Sequence, residues 1–252
     1  MFKYGFEIQL TEDYLVDTEG TSDGTQSKYF SDGYWYKTNN EGREDLVEYL
    51  TSKMLTFTNL PKDTFVIYER GLLNGSAACR SKTFLSPDET FTTLERMHNN
   101  VTGQPLHEKI RMMNIDDSVD YVISFFKEII DLDLSEYFKR VFTVDYITLN
   151  EDRHFHNLGV IMSNDGKYRP APIFDNGKSL LNANPSVNKK LPISENVKRV
   201  VARPFSGSHR KMYEKFGKGF DLDKKSALQW LEKEEQSFYR DVLIYQIKNV
   251  EL

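Results

Sequence analysis

The chain has 252 residues, 39% hydrophobic and 28% charged, which is enough apolar content for a folded core and too little bias for a disordered or fibrous polymer. Its net charge of -5 speaks against a broad nucleic-acid footprint. One cysteine, Cys79, excludes a disulfide framework and the usual multi-Cys zinc sites, and no apolar run approaches the roughly 18–20 residues of a membrane span. The stretch from Met1 to Glu7 lacks the apolar centre of a secretory signal, so the chain reads as a cytoplasmic protein that contacts neither membrane nor nucleic acid directly.

In chain order, the first forty residues read as strand, loop, strand, tight turn, strand. Thr18 to Lys28 is the polar, Gly-rich loop, Ser31-Asp32-Gly33 the turn, and Tyr34-Trp-Tyr-Lys37 the alternating strand after it. Glycine lets backbone N–H groups approach an anion closely, so the loop is suited to phosphate; most such loops bind nothing. A helix is predicted from about Arg43 to Phe57, with Leu46, Val47, Leu50 and Met54 as its buried stripe and Glu48 at the edge of that face. Thr64 to Tyr68 and Ala77 to Leu85 alternate as strands around a turn at Gly71 to Gly75, with Cys79 packed inside. Ser86-Pro87-Asp88 then breaks the chain before a helical half, which gives an α+β reading with units 1–86 and 87–252.

Helical spacing continues from Asp116 to Ile130 and from Ser135, the expected N-cap, to Leu149, where Asp145 is the one acid in an apolar stretch and reads as an anchor for the loop beyond. There Asn150-Glu-Asp152-Arg-His154-Phe-His-Asn157 precedes Leu158 to Met162, a turn at Asn164-Asp165-Gly166, Pro172 to Phe174, and Asp175-Asn-Gly177. As two strands of a hairpin, these segments bring Asn157 and Asp175 to one sheet edge, with Asp152 on the loop leading in. Phosphoryl transfer asks for one Asp to accept a hydroxyl proton and an Asn and an Asp to hold Mg²⁺ against phosphates. A plain turn, or a metal hydrolase built on D-x-H-x-x-x-x-D, is open on spacing alone. Asn182 to Ile193 reads as an exposed loop, His209 as a surface or core histidine without a catalytic role, and Ala227 to Ile247 as one or two amphipathic closing helices.

The string N-x-D-R-H-x-x-N-x-G followed by P-I-F-D-N-G-x-S-L resembles the HipA-like bacterial serine/threonine kinases, whose fold is akin to that of the phosphatidylinositol kinases. Thr21-Ser-Asp-Gly24-Thr-Gln26-Ser-Lys28 is similar to their nucleotide-covering loop, and Arg203-Pro-Phe205-Ser to a stretch of their second lobe. The resemblance implies a two-lobed protein-kinase-like fold, with a strand-rich lobe over 1–86 and a helical lobe over 87–252. It implies Asp152 as catalytic base, Asn157 and Asp175 as Mg²⁺ ligands, and Arg153 and His154 as residues that shape the loop. Lys37 falls on ATP phosphates and is oriented by Glu48; Thr21, Ser22, Gly24, Thr25, Gln26 and Lys28 lie over the nucleotide, and Phe84 and Leu85 against its adenine. The substrate would be a protein Ser or Thr, and an antitoxin or other small protein is the partner class. In some members of the family the loop carries autophosphorylated serines; Thr21 stands here where the first serine is expected. A non-catalytic nucleotide-binding module and a small-molecule or lipid kinase are the two alternatives.

Overall fold

The computed structural model describes residues 5–16 and 27–252, so Thr21, Ser22, Gly24, Thr25 and Gln26 of the Gly-rich loop lie outside the described residues. The first layer is a six-stranded sheet in the order β1-β5-β6-β4-β3-β2. Its strands are β1 (Phe6–Ile8), β2 (Leu15–Val16), β3 (Lys28–Ser31), β4 (Tyr34–Thr38), β5 (Glu69–Leu73) and β6 (Ser76–Lys82). Two-residue turns close both tight hairpins. Asp32-Gly33 and Asn74-Gly75 all have positive φ, the backbone whose twist matches the flanking strands. Asn74 also ties in the first segment, accepting from the Leu10 amide at 2.8 Å and donating to its carbonyl at 2.9 Å.

Between β4 and β5 runs helix α1 (Glu44–Leu55), whose Leu46, Val47, Leu50, Met54 and Leu55 enter the main apolar core. Glu48 does not sit at the edge of that face: it is 1% exposed. The strand expected over Thr64 to Tyr68 is instead a short 3-10 turn at Lys62–Thr64 and an extended segment. The strand of this stretch starts only at Glu69 and runs through Leu73 into the expected turn, while Phe65 bridges in parallel to Ile173.

A second, three-stranded sheet is made of β7 (Thr90–Thr93), β8 (Gly159–Met162) and β9 (Tyr168–Pro170). The expected Asn164-Asp165-Gly166 turn is present, but the second arm of the hairpin is Tyr168–Pro170 and not Pro172 to Phe174. Ile173 pairs elsewhere, donating to the Thr64 carbonyl at 2.8 Å and accepting from the Val66 amide at 2.9 Å. The segment that carries Asp175 is thereby sewn to the chain just after α1.

The helices after β7 are α2 (Leu94–Thr102), α3 (Leu106–Ile110), α4 (Ile115–Ile130), α5 (Ser135–Thr148), α6 (Ile193–Val197), α7 (His209–Phe216), α8 (Lys224–Leu231) and α9 (Phe238–Asn249), giving an α+β chain. Ser135 is the first residue of α5 rather than its cap; the Asp133 carboxylate accepts from its amide at 2.8 Å. Phe138, Phe142, Phe205 and Phe216 pack together beneath the loop that follows α5. No helix among the described residues is long and apolar enough to cross a membrane.

The bend before α1 depends on Gly42. At φ +74°, its missing Cβ leaves room for the Asn182 carboxamide, whose oxygen accepts from the Arg43 amide at 3.0 Å. Gly42→Ala is expected to cost about 1–2 kcal/mol from the left-handed backbone alone, before Asn182 is displaced. The thermal midpoint should therefore fall by about 2–8 °C; an unchanged midpoint would show that the bend tolerates a side chain.

Candidate active site

The end of α5 sets up the site. Leu149 stops the helix in the left-handed conformation at φ 59°, its amide bonded to the Asp145 carbonyl at 2.7 Å, and turns Asn150 into a buried loop. Asp175, Leu180, Leu181 and Ala183 also have positive φ. Such backbone costs on the order of 1–3 kcal/mol per residue and gathers where structure is bent to a purpose. Here all five flank the two polar segments singled out by the sequence.

Arg153 joins those segments. Fully buried, its guanidinium donates to both oxygens of Asp145 at 3.0 and 3.1 Å, to the Phe174 carbonyl at 2.7 Å and to Asn176 Oδ1 at 2.7 Å. Asp145 is therefore an anchor as expected, with Arg153 as the tie. The Asn150 side chain accepts from the Asp152 amide at 2.9 Å, and Asn157 Nδ2 donates to the Asp152 carbonyl at 2.9 Å. Asp152 itself turns outward, its side chain 41% exposed, with His154 Nε2 3.7 Å away.

His209 is a loop support. Its Nε2–H donates to the Asn150 carbonyl at 2.7 Å, and burial holds its pKa below the ordinary histidine value. An unfolded chain thus takes up this proton more readily than the folded one. Stability should fall as pH drops below about 6.5, the unfolded value. Denaturant titrations of wild type and His209→Gln between pH 5 and 8 check this: the variant should lose that part of the slope, and parallel curves would remove His209 as its source.

Across the cleft, β4 register puts Lys37 beside Lys28 on β3 and Cys79 on β6. Lys37 Nζ lies 2.8 Å from Asp175 Oδ1 and 3.3 Å from Glu48 Oε1, while Glu48 Oε2 accepts from the Asn176 amide at 2.9 Å. Glu48 thus grips both the lysine and the residue after Asp175. Burial opposes the charge on Lys37, but Asp175, Tyr68 and Glu48 outweigh it and hold the ammonium well above the lysine value. Burial likewise opposes ionised Asp175, and Lys37 and Lys28 outweigh it, keeping the carboxyl below the usual carboxylate range. Glu48, deepest of the three, is pushed up by burial against the pull of Lys37.

A cavity of about 290 Å³ is lined by Lys28, Lys37, Phe84, Leu85, Phe174 and Asp175, among others, so it unites the expected phosphate and adenine residues that the structure describes. Glu48 stands behind Lys37, outside the lining. Asp152 lines a different cavity, of about 260 Å³, with Glu151, Lys178 and the 182–186 segment. Asn157 lies beneath Asp152, and its Oδ1 is buried with no hydrogen-bond partner.

Sequence reasoning missed three members of this network. Tyr68, beneath Lys37 at 5.6 Å from ring centre to Nζ, sat in a run read as ordinary strand. Asn176 was passed over between Asp175 and Gly177. Asn182 was read as the start of an exposed loop, yet it is buried and donates to the Gly177 carbonyl at 2.8 Å.

Among solved structures, the chain is similar to a Helicobacter pylori proinflammatory kinase, CtkA, with a TM-score of 0.63 over 93% of this chain and 90% of that one, at 15% identity. The chain shares the fold of that kinase. A Shewanella oneidensis structure of the toxin–antitoxin system HipA, HipB and its operator DNA aligns with a TM-score of 0.40 over 95% of this chain and 66% of that one, at 10% identity. No family model and no curated protein matches the chain. At these identities the likeness speaks for fold alone, and any function has to be argued from the side chains.

Proposed function

We propose that the chain is an ATP- and Mg²⁺-dependent kinase that phosphorylates serine or threonine in proteins. The observation that carries this reading is the Glu48–Lys37–Asp175 clamp at the cavity lined by Phe84 and Leu85, tied through Asn176 and Arg153 to the loop that presents Asp152.

The residues fit a nucleotide-borne Mg²⁺. Asn157 contributes a buried carbonyl oxygen that no other group satisfies, and Asp175 an ionised carboxylate; few protein ligands suit a cation that also binds phosphates and water. Bound there, Mg²⁺ would neutralise charge on the phosphates. Lys37 then has phosphate oxygens to exchange for Asp175, with Glu48 keeping it aimed. Phe84 and Leu85 give an apolar wall for the base. Asp152, outside that cavity and open to solvent, is placed to orient an acceptor hydroxyl and take its proton. The work is positioning and charge neutralisation, with no covalent intermediate on the protein.

A non-catalytic nucleotide-binding module would need no exposed carboxylate at Asp152 and no orphan oxygen at Asn157, and both are present. The test is incubation of purified protein with ATP and Mg²⁺, with intact-mass and peptide mass spectrometry of the protein and of added acceptor proteins. Phosphate on Ser or Thr, including the loop bearing Thr21 and Ser22, supports the proposal. ATP binding without transfer would favour the non-catalytic module, and failure to bind ATP would remove the site assignment.

A further inference from the structure

The second cavity shows what an acceptor would meet. Its lining includes Lys178 and Arg199, and the segment they belong to, residues 178–203, holds six cations, Lys178, Lys189, Lys190, Lys198, Arg199 and Arg203, and one carboxylate, Glu195, a net +5 in a chain whose total is -5. Lys178 pairs with Glu41, and Lys198 with Glu195 at 2.7 Å. Lys189, Lys190 and Arg199 are exposed and, among the described residues, in no ion pair. Lys189 rests over the rings of Phe238 and Tyr239 at 5.3 and 5.2 Å. Arg199 donates to the Ser186 carbonyl at 2.8 Å, which holds its guanidinium at the rim.

Two carboxylates, Glu151 and Asp152, line the same cavity. Glu151, next to Asp152, accepts from Asn184 Nδ2 at 2.7 and 2.8 Å and from the Val201 amide at 3.1 Å, and Arg203 acts on it electrostatically. Its carboxylate is spent pinning both ends of the basic wall to the catalytic loop. Beyond the lining, the exposed cations of the 178–203 segment outnumber its one acid, Glu195.

We infer that the chain selects protein acceptors whose serine or threonine is flanked by aspartate or glutamate, with Lys189, Lys190 and Arg199 reading the acidic neighbours; this rests on Asp152 being the proton acceptor. A nucleic acid is the weaker fit, since duplex binding draws on about 6–10 phosphate contacts and the rim offers three cations free of ion pairs.

The experiment compares serine peptides matched except for Asp/Glu, neutral or Lys/Arg flanks. Exposed charge pairs are individually small, so three together should give about a tenfold advantage in kcat/KM for the acidic peptide over the neutral one, shrinking as salt rises. Lys190→Glu, and separately Arg199→Glu, should move the preference toward basic flanks; two variants guard against one of them disturbing the wall. A binding arm, fluorescence anisotropy of acidic and basic peptides with alanine in place of serine, reads the same surface without catalysis. Tighter binding of the acidic peptide with no phosphorylation of any peptide would support the surface and count against the kinase reading. Phosphorylation with no preference, or a basic one, would overturn the inference and leave the kinase. Displacement of the acidic peptide by single-stranded RNA at lower concentration than by unlabelled peptide would also overturn it, in favour of a nucleic-acid surface.

Discussion

Asp152→Asn is expected to lower kcat for phosphoryl transfer by about 10²–10⁴, the range for a positioned general base. The change should leave ATP affinity within about twofold, because a side chain outside the nucleotide cavity makes no binding contribution to lose. The substitution is close to isosteric. It retains the Asp152 backbone bonds to Asn150 Oδ1 and Asn157 Nδ2, so loop geometry should survive. What disappears is the capacity to accept a proton. Asp175→Asn, by contrast, takes away the carboxylate opposite Lys37 and should weaken Mg²⁺-nucleotide binding along with turnover. Nucleotide titration and single-turnover kinetics on both variants separate the two roles. Turnover within threefold of wild type for Asp152→Asn would mean that another group handles the hydroxyl proton.

The loop that carries Asp152 was readable from the chain because its own bonds join neighbours close in sequence. Asn150 to Asn157 is an Asx-rich loop between an apolar helix and an apolar strand, and its internal bonds span two to five residues. Asp145 was likewise visible as a lone acid in an apolar run. The clamp was harder. Lys37 and Asp175 lie 138 residues apart, and no periodicity reports such a meeting. The resemblance supplied the pair of Lys37 and Glu48; hydrophobic spacing placed Glu48 only at the rim of its helix face, because a helical wheel cannot show that a buried lysine and the Asn176 amide will draw a carboxylate inward. The strand expected at Pro172 to Phe174 failed for a related reason: an extended apolar run was assigned to its nearest partner in sequence, whereas Ile173 pairs with the Thr64–Val66 stretch. Asn182 was misplaced because polar residues between prolines look like surface, and its three acceptor and donor contacts come from segments distant or turned back on themselves.

Arg153→Met should be the most destabilising single substitution in the site. Arg153 and Asp145 are both buried, with side chains 1% exposed, so losing the guanidinium strands a carboxylate away from water. Breaking a buried pair in this way costs about 3–5 kcal/mol, a large part of the 5–15 kcal/mol by which domains are usually stable. The Phe174 carbonyl and Asn176 Oδ1 lose their donor in the same step. Adding Asp145→Leu removes the stranded charge, so the double variant should recover at least half of the lost stability by denaturant unfolding, as paired replacements of buried ions often do. Activity should not return with it. The segment that carries Asp175 would still lack its tie to the catalytic loop, and a misplacement on the order of 1 Å at a reacting centre is worth about a hundredfold in rate. A stable but inactive double variant would show that Arg153 is kept for geometry. A single variant that loses under about 1 kcal/mol would show that Asp145 finds water or another partner, and that backbone bonds such as Glu151 to Lys178 and Leu180 to Thr148 suffice to hold the two segments together.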